Sequence, residues 1–168
     1  MKLLSSNKKL KERKVKDYIV NNQKNFYKIA YSYVKNEDDA LDIVHDAICK
    51  ALSKIDLLKD IEVVKPWFYK ILINSAIDYI RKNNKYVSIT EEEVINEYKV
   101  EDVYSDIDLK RALDRLPQEY KSIIILRYFE DMKIEDIANV LSENTNTVKT
   151  RLYKGLRKLK IKIKTEDY

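Results

Sequence analysis

Glycine is almost missing from this chain of 168 residues, which has one glycine, two prolines, one cysteine and one histidine. Sheet-rich folds need turn glycines, so they are nearly excluded. Neither a Walker loop nor a dinucleotide fingerprint can be written with one glycine, so Gly-rich phosphate cradles are excluded too. One cysteine cannot form an intrachain disulfide and fits a reducing compartment. No apolar run approaches a membrane span; the longest obvious one is Ile123 to Leu126. The basic N-terminus is followed by no apolar stretch, so no secretory leader is expected. The expected location is cytoplasmic, without membrane insertion.

What is present is charge and helical periodicity. Charged residues make up 36% and hydrophobic ones 45%, a composition that stays soluble and still builds cores. Long periodic segments rich in Lys, Leu, Ile and Glu predict an all-α chain. The net charge of +5 is unevenly placed. Lys8–Lys16 is basic, Asn144–Thr165 carries eight Lys or Arg and no acid, and Glu91–Asp106 carries seven acids and one Lys. Basic ends and an acidic middle suggest two binding modules and a solvated linker. The expected division is a basic lead at 1–16, a first helical domain at 17–84, an acidic flexible linker at 85–106 and a second domain at 107–165. Within the first domain, helices are expected over about Val15–Lys35, Glu37–Lys54 and Lys65–Lys82. The second domain is expected to hold four helices.

The second domain has the order short helix, tight turn, longer helix in "IEDIANVLSENTNTVKTRLYKGLRKL". Asn144 is placed to cap the longer helix. Val148, Leu152, Leu156 and Leu159 share one face, and Gly155 at its edge permits close packing. Thr147, Thr150, Arg151, Lys154, Arg157 and Lys158 cover the other face. Hydroxyls and cations near the front of such a helix can reach base edges in a major groove, and later cations can meet phosphates.

The first domain holds the only Trp, in "KPWFYKILINSAIDYIRKNNK" (Lys65–Lys85). A helical wheel puts Phe68, Leu72, Ala76, Tyr79 and Ile80 on one face, with Tyr69 and Ile73 nearby. Trp67, Asn74, Asp78 and Arg81 fall opposite, followed by Lys82. Trp67 reads equally well as a helix-end residue packed under a loop or as a stacking wall for an unpaired strand. In "DDALDIVHDAICKALSKI", Leu41, Val44, Ile48, Leu52 and Ile55 read as the core face. Asp39, Asp42, Asp46 and Lys50 read as the outer face, with Ile43 exposed among the acids. Acids around an apolar anchor suit docking on a basic protein surface. His45 and Cys49 are four apart, yet no third orienting group exists for nucleophilic chemistry, and soft ligands are too few for a metal. No catalytic residue, metal or cofactor is expected, and the chain does not read as an enzyme.

These segments resemble bacterial RNA polymerase sigma factors of the extracytoplasmic-function type, the small two-domain members of the sigma-70 family. "LDRLPQEYKSIIILRYFEDMKIEDIANVL" and "NTVKTRLYKGLRKL" are similar to the family's four-helix domain that binds the minus-thirty-five promoter element. "DDALDIVHDAICKALSKI" is similar to its polymerase-clamp helix, and "PWFYKILINSAIDYIRK" to its minus-ten helix. The likeness covers roughly residues 17–163. Ser142 stands where the family usually has Gly, Glu143 at a usually apolar position, and Lys133 where Ser or Thr commonly caps; Asp131 offers an earlier cap. The resemblance implies contacts to minus-thirty-five bases by Lys149, Thr150, Tyr153 and Lys154, with Arg151 on phosphate. It implies aromatic roles for Trp67 and Tyr69 and base reading by Asn74 on the melted minus-ten strand. It also implies core RNA polymerase, promoter DNA and an anti-sigma factor as partners. Without the resemblance, two other readings stay open: a stand-alone helix-turn-helix regulator, and a helical adaptor with a solvated basic tail.

Overall fold

The computed structural model describes residues 2–83 and 104–166, with side chains over 6–83 and 109–160. The expected linker at 85–106 lies outside the described residues except at its last three positions, which are helical. The described residues are helical throughout their regular elements, with no strand. Helices α1 (Lys2–Val34), α2 (Glu37–Ser53) and α3 (Val64–Asn83) form the first module. Two 3-10 turns, Ile55–Leu57 and Ile61–Val63, join α2 to α3. The second module contains α4 (Tyr104–Asp114), α5 (Gln118–Ile124), α6 (Ile134–Leu141) and α7 (Thr145–Glu166). A π-helical turn, Ile125–Phe129, extends α5.

Helix α1 starts far earlier than the hydrophobic period alone suggests. The basic lead is mostly Lys, Leu, Arg and Glu, all good helix formers, with no glycine or proline to stop it. The lead is also tied down, because Lys11 Nζ donates to the Leu58 carbonyl at 2.8 Å and Lys8 pairs with Asp56 at 3.1 Å. Lys35 closes α1 in the left-handed region at φ 53°, and Asn36 Oδ1 accepts the Asp39 N–H at 2.9 Å to start α2. Pro66 sits in the first turn of α3, where a missing N–H costs nothing. An aromatic cluster fills the first core: Phe26 and Phe68 centroids are 4.2 Å apart, and Tyr69 meets Phe26 edge-on at 5.5 Å.

The core face of α2 differs from the expected one. Ala40, Ile43, Val44, Ala47 and Ala51 are buried, and Ile43 is only 1% exposed. Leu41 is 56% and Leu52 39% exposed, so the two leucines point outward. The alanines let α1 and α3 approach closely, and that small-residue stripe wins over the larger leucines.

In the second module, Gly155 of α7 lies against α5. A Cβ there would stand 3.0 Å from Tyr120 Cβ and 3.1 Å from Ile124 Cδ1. The turn before α7 forms without glycine, because Ser142 takes φ 54° and ψ 41°. Lys133 is the N-cap of α6 and makes no side-chain cap bond. Asp131 also sits at positive φ, 51°, in the turn rather than at the helix cap. The two modules meet where α3 packs on α6 and on the π-helical turn.

Candidate nucleic-acid interface

Asn144 sets the start of α7: its Oδ1 accepts the Thr147 N–H at 2.7 Å. From that fixed start the period turns Val148, Leu152, Gly155 and Leu159 inward. Lys149, Thr150, Tyr153, Lys154, Arg157 and Lys158 stand exposed, with Tyr153 at 69%. Thr147 is half-buried and joins Thr150, Lys154, Asn144, Asn146 and Tyr120 around a concavity at the front of the helix. Lys158 Nζ lies 5.8 Å from the Tyr120 ring centre, which aligns its stem without neutralising it. The expected open face is therefore assembled, apart from Arg151. That guanidinium pairs with Glu143 at 3.0 Å and approaches Glu119 at 3.9 Å. Glu143 thus has a local reason for standing at a usually apolar position: it pins the turn to the helix behind it. In this arrangement Arg151 is directed at two carboxylates, unlike the outward phosphate contact expected of it.

Helix α3 has three faces. Phe68, Leu72 and Ala76 point into the first core. Asn74, Asp78, Arg81 and Lys82 are exposed, and Arg81 lies 3.9 Å from Asp78. Trp67 is half-buried against the core with one side reaching the surface. Tyr69 is a correction to the expected surface aromatic, being 0% exposed. Its hydroxyl donates to Glu130 Oε2 of the second module at 2.6 Å. Burial, and then the Glu130 hydrogen bond, push the Tyr69 hydroxyl's pKa up. The wheel had already put Tyr69 near the Phe68 face; only the resemblance placed it outside.

On α2, Asp42 and Asp46 are exposed. Asp46 pairs with Lys50 at 2.7 Å, and that hydrogen bond holds its carboxyl below the usual range. Lys50 also donates to Ser75 of α3 at 3.2 Å. Asp39 is half-buried and accepts the Tyr79 hydroxyl at 2.5 Å, which raises the tyrosine pKa. Ile43 is corrected from exposed anchor to core residue. The exposed apolar stripe is instead Leu41 and Leu52 with half-buried Ile48 and exposed His45 between them. Spacings of four, three and four put these on one side of the helix, flanked by Asp42 and Asp46. Sequence reasoning missed this stripe because it ranked leucine above alanine as a core former; the Ala40, Ala47, Ala51 spacing was the available signal.

Comparison with known proteins bears on this pair of surfaces. The family model for sigma-70 region 2 matches residues 18–86, and that for sigma-70 region 4 matches residues 106–159. The first match spans the second half of α1 with α2 and α3; the second spans most of α4, all of α5 and α6, and most of α7. The chain is 52% identical over 151 residues to RNA polymerase sigma factor SigV of Bacillus subtilis, covering 89% of this chain and 90% of that one.

The chain is a sigma factor of the sigma-70 family, of the extracytoplasmic-function type.

It is also 26% identical over 150 residues to the ECF RNA polymerase sigma factor SigW of the same bacterium, covering 80% of each. Among solved structures it is similar to the sigma factor RpoE in complex with the anti-sigma factor NepR from Bartonella quintana. That match has a TM-score of 0.74 and 25% identity, covering 89% of this chain and 96% of that chain. As a sigma factor the chain directs RNA polymerase to promoters. No helix among the described residues is long and apolar enough to cross a membrane.

Proposed function

We propose that this sigma factor reads its promoter by dividing the work between α7 and α3, while α2 holds the polymerase. The observation that carries this is the outward face of α7, where hydroxyls, Tyr153 and cations stand clear of a capped, tightly packed helix. That face enters the duplex at the minus-thirty-five element: Lys149, Thr150, Tyr153 and Lys154 meet base edges, and Arg157 and Lys158 meet phosphates. In α3, Asn74 reads a base of the unpaired minus-ten strand. Trp67 walls the strand, and Arg81 and Lys82 attract its backbone. A captured base offsets part of the unstacking cost, a few kcal/mol per step.

Core RNA polymerase docks on α2 through Leu41, Ile48 and Leu52, with Asp42 and Asp46 steering a basic partner surface. Polymerase supplies all catalysis; the sigma factor is not an enzyme. It works where polymerase is, in the cytoplasm. An anti-sigma factor is proposed as a further partner, because the RpoE structure is a complex with one.

Reconstitution with purified core polymerase tests the proposal. Promoter-dependent transcription should appear only when the sigma factor is added, and duplex binding by the sigma factor alone should be weak and salt-sensitive. Full-strength duplex binding without polymerase, together with no promoter-dependent transcription, would instead make the chain a stand-alone regulator.

A further inference from the structure

The promoter and polymerase surfaces described above leave the basic lead of α1 unused. Residues 8–16 hold six Lys or Arg and one Glu, and they stand ahead of the region 2 match, which begins at residue 18. Two of these cations hold the lead in place. Lys11 Nζ donates to the Leu58 carbonyl at 2.8 Å, and Lys8 pairs with Asp56 at 3.1 Å. Leu58 and Asp56 belong to the connection that runs into α3, whose first turn carries Trp67. The lead is therefore anchored at the Trp67 end of the minus-ten helix.

Lys9, Arg13 and Lys16 are exposed. Spacings of four and three put them on one side of the helix, opposite buried Val15 and Ile19. Glu12 is half-buried on the flank, and Asp17 is the acid at the stripe's edge. Cations at the start of α3 are engaged elsewhere: Lys65 donates to the Glu130 carbonyl and Lys70 to Asn139 Oδ1, in the seam between the modules. The stripe on α1 faces solvent instead. A lead that only kept the chain soluble would gain nothing from two anchors, whereas a binding surface fixed beforehand loses less entropy when it binds. The stripe is ~10 Å long at 1.5 Å per residue, the span of about three phosphates along one strand of duplex. Lysine and arginine with no amide or hydroxyl between them attract phosphate without discriminating bases. Polymerase is the poorer fit, because Asp42 and Asp46 of α2 call for a basic partner surface, which the stripe would repel.

We propose that the basic lead is a further DNA-binding element: Lys9, Arg13 and Lys16, anchored through Lys8 and Lys11, take backbone phosphates of the promoter beside the minus-ten element. This rests on the promoter-reading function proposed above. The contact adds affinity and leaves sequence preference to α3 and α7. It also makes promoter binding more sensitive to salt, because each neutralised phosphate releases counterions.

The test measures binding of holoenzyme to a promoter duplex as salt rises from about 50 to 200 mM. Wild type should lose ~40-fold more affinity over that range than the combined Lys9→Gln, Arg13→Gln and Lys16→Gln variant, since three phosphate contacts each add ~0.9 to the logarithmic slope. Glutamine keeps helix propensity at exposed positions. Each single glutamine change should remove about a third of the slope difference, which decides the question if the triple variant does not fold. The charge-keeping combination Lys9→Arg, Arg13→Lys and Lys16→Arg should follow the wild-type curve. Lys11→Met, which keeps the stripe and frees the lead, should weaken binding a few-fold at fixed salt. The ratio of affinities for the promoter and for one altered in the minus-ten element should be the same in wild type and the triple variant. Parallel salt curves for wild type and the glutamine variants would overturn the proposal. So would a changed affinity ratio, which would mean base reading, or a failure of the triple variant to capture core polymerase, which would make the stripe a protein contact. A wild-type holoenzyme that ignores the promoter would overturn the promoter-reading function and the role of the lead with it.

Discussion

Helix α7 and the helices of the first module follow one amphipathic plan with different outcomes. Helix α7 has two faces: Val148, Leu152 and Leu159 inside, hydroxyls and cations outside. Helix α3 has three: a core face, a seam face carrying Lys65, Tyr69 and Lys70, and an open face carrying Asn74 and Asp78. Helix α2 also has three, since its alanine-rich core stripe and its Leu41–Leu52 stripe are separate apolar surfaces. A helix such as α7, whose neighbours α4, α5 and α6 all meet its one apolar face, shows its function as whatever is left over. A helix packed on more than one face does not, because apolar residues divide between core and partner, and polar ones between seam and ligand.

The largest test of that contrast is on α2. Ile43→Ala should cost about 2–5 kcal/mol of stability, as for other buried large-to-small changes, seen as a lower urea midpoint. Leu41→Glu combined with Leu52→Glu should leave that midpoint nearly unchanged, because both side chains are exposed. The pair should abolish capture of core polymerase in a pull-down, with hot-spot losses of about 2 kcal/mol or more each. Normal capture by the double variant would move the docking surface elsewhere.

Next in size is the difference between two cations on α7. Lys154→Ala should weaken minus-thirty-five binding by roughly 1–3 kcal/mol and alter base preference, as for a base-edge contact. Arg151→Ala should lower thermal stability and leave base preference intact, since Arg151 ties Glu143 to the helix. Equal effects of both on base preference in a promoter-variant binding series would show that the ion pair opens on DNA.

On α3, Trp67→Ala should slow open-complex formation, with a lost stacking partner worth about 1–3 kcal/mol. A template already mismatched across the minus-ten region should largely rescue it. Failure of rescue would mean that Trp67 does more than support melting. The smallest effect belongs to the turn. Ser142 sits at φ 54° and ψ 41°, a region that costs a residue with a Cβ about 1–2 kcal/mol. Ser142→Gly should recover about 1 kcal/mol, less the greater chain entropy that glycine brings to the unfolded state. An unchanged or lower melting temperature would place the compensation elsewhere in the turn.

Much of the second module was legible in the sequence because its signals are local. Asn144 caps as expected, Gly155 fills the close contact, and the exposed face of α7 follows from its period. The identity of α2 as a helix was equally plain, from the acids of its first turn. Its orientation was not, because Leu41 and Leu52 look like better core residues than Ala47 and Ala51 until two neighbouring helices demand close approach. The seam was least visible. Glu130 lies in "RYFED", with no period that predicts burial, and its partner Tyr69 is 61 residues away. Pairings of that kind depend on how two finished modules meet, and no single helical wheel contains them.

The division of labour between α3 and α7 is tested most directly by binding holoenzyme to a single-stranded oligonucleotide carrying the non-template minus-ten sequence. Wild-type holoenzyme should bind it. Asn74→Ala should weaken binding by roughly 1–3 kcal/mol, about fivefold to 150-fold, while Lys154→Ala should leave it unchanged, because no duplex is present for α7 to enter. Equal binding by wild type and Asn74→Ala, or a loss with Lys154→Ala as large as with Asn74→Ala, would contradict the account.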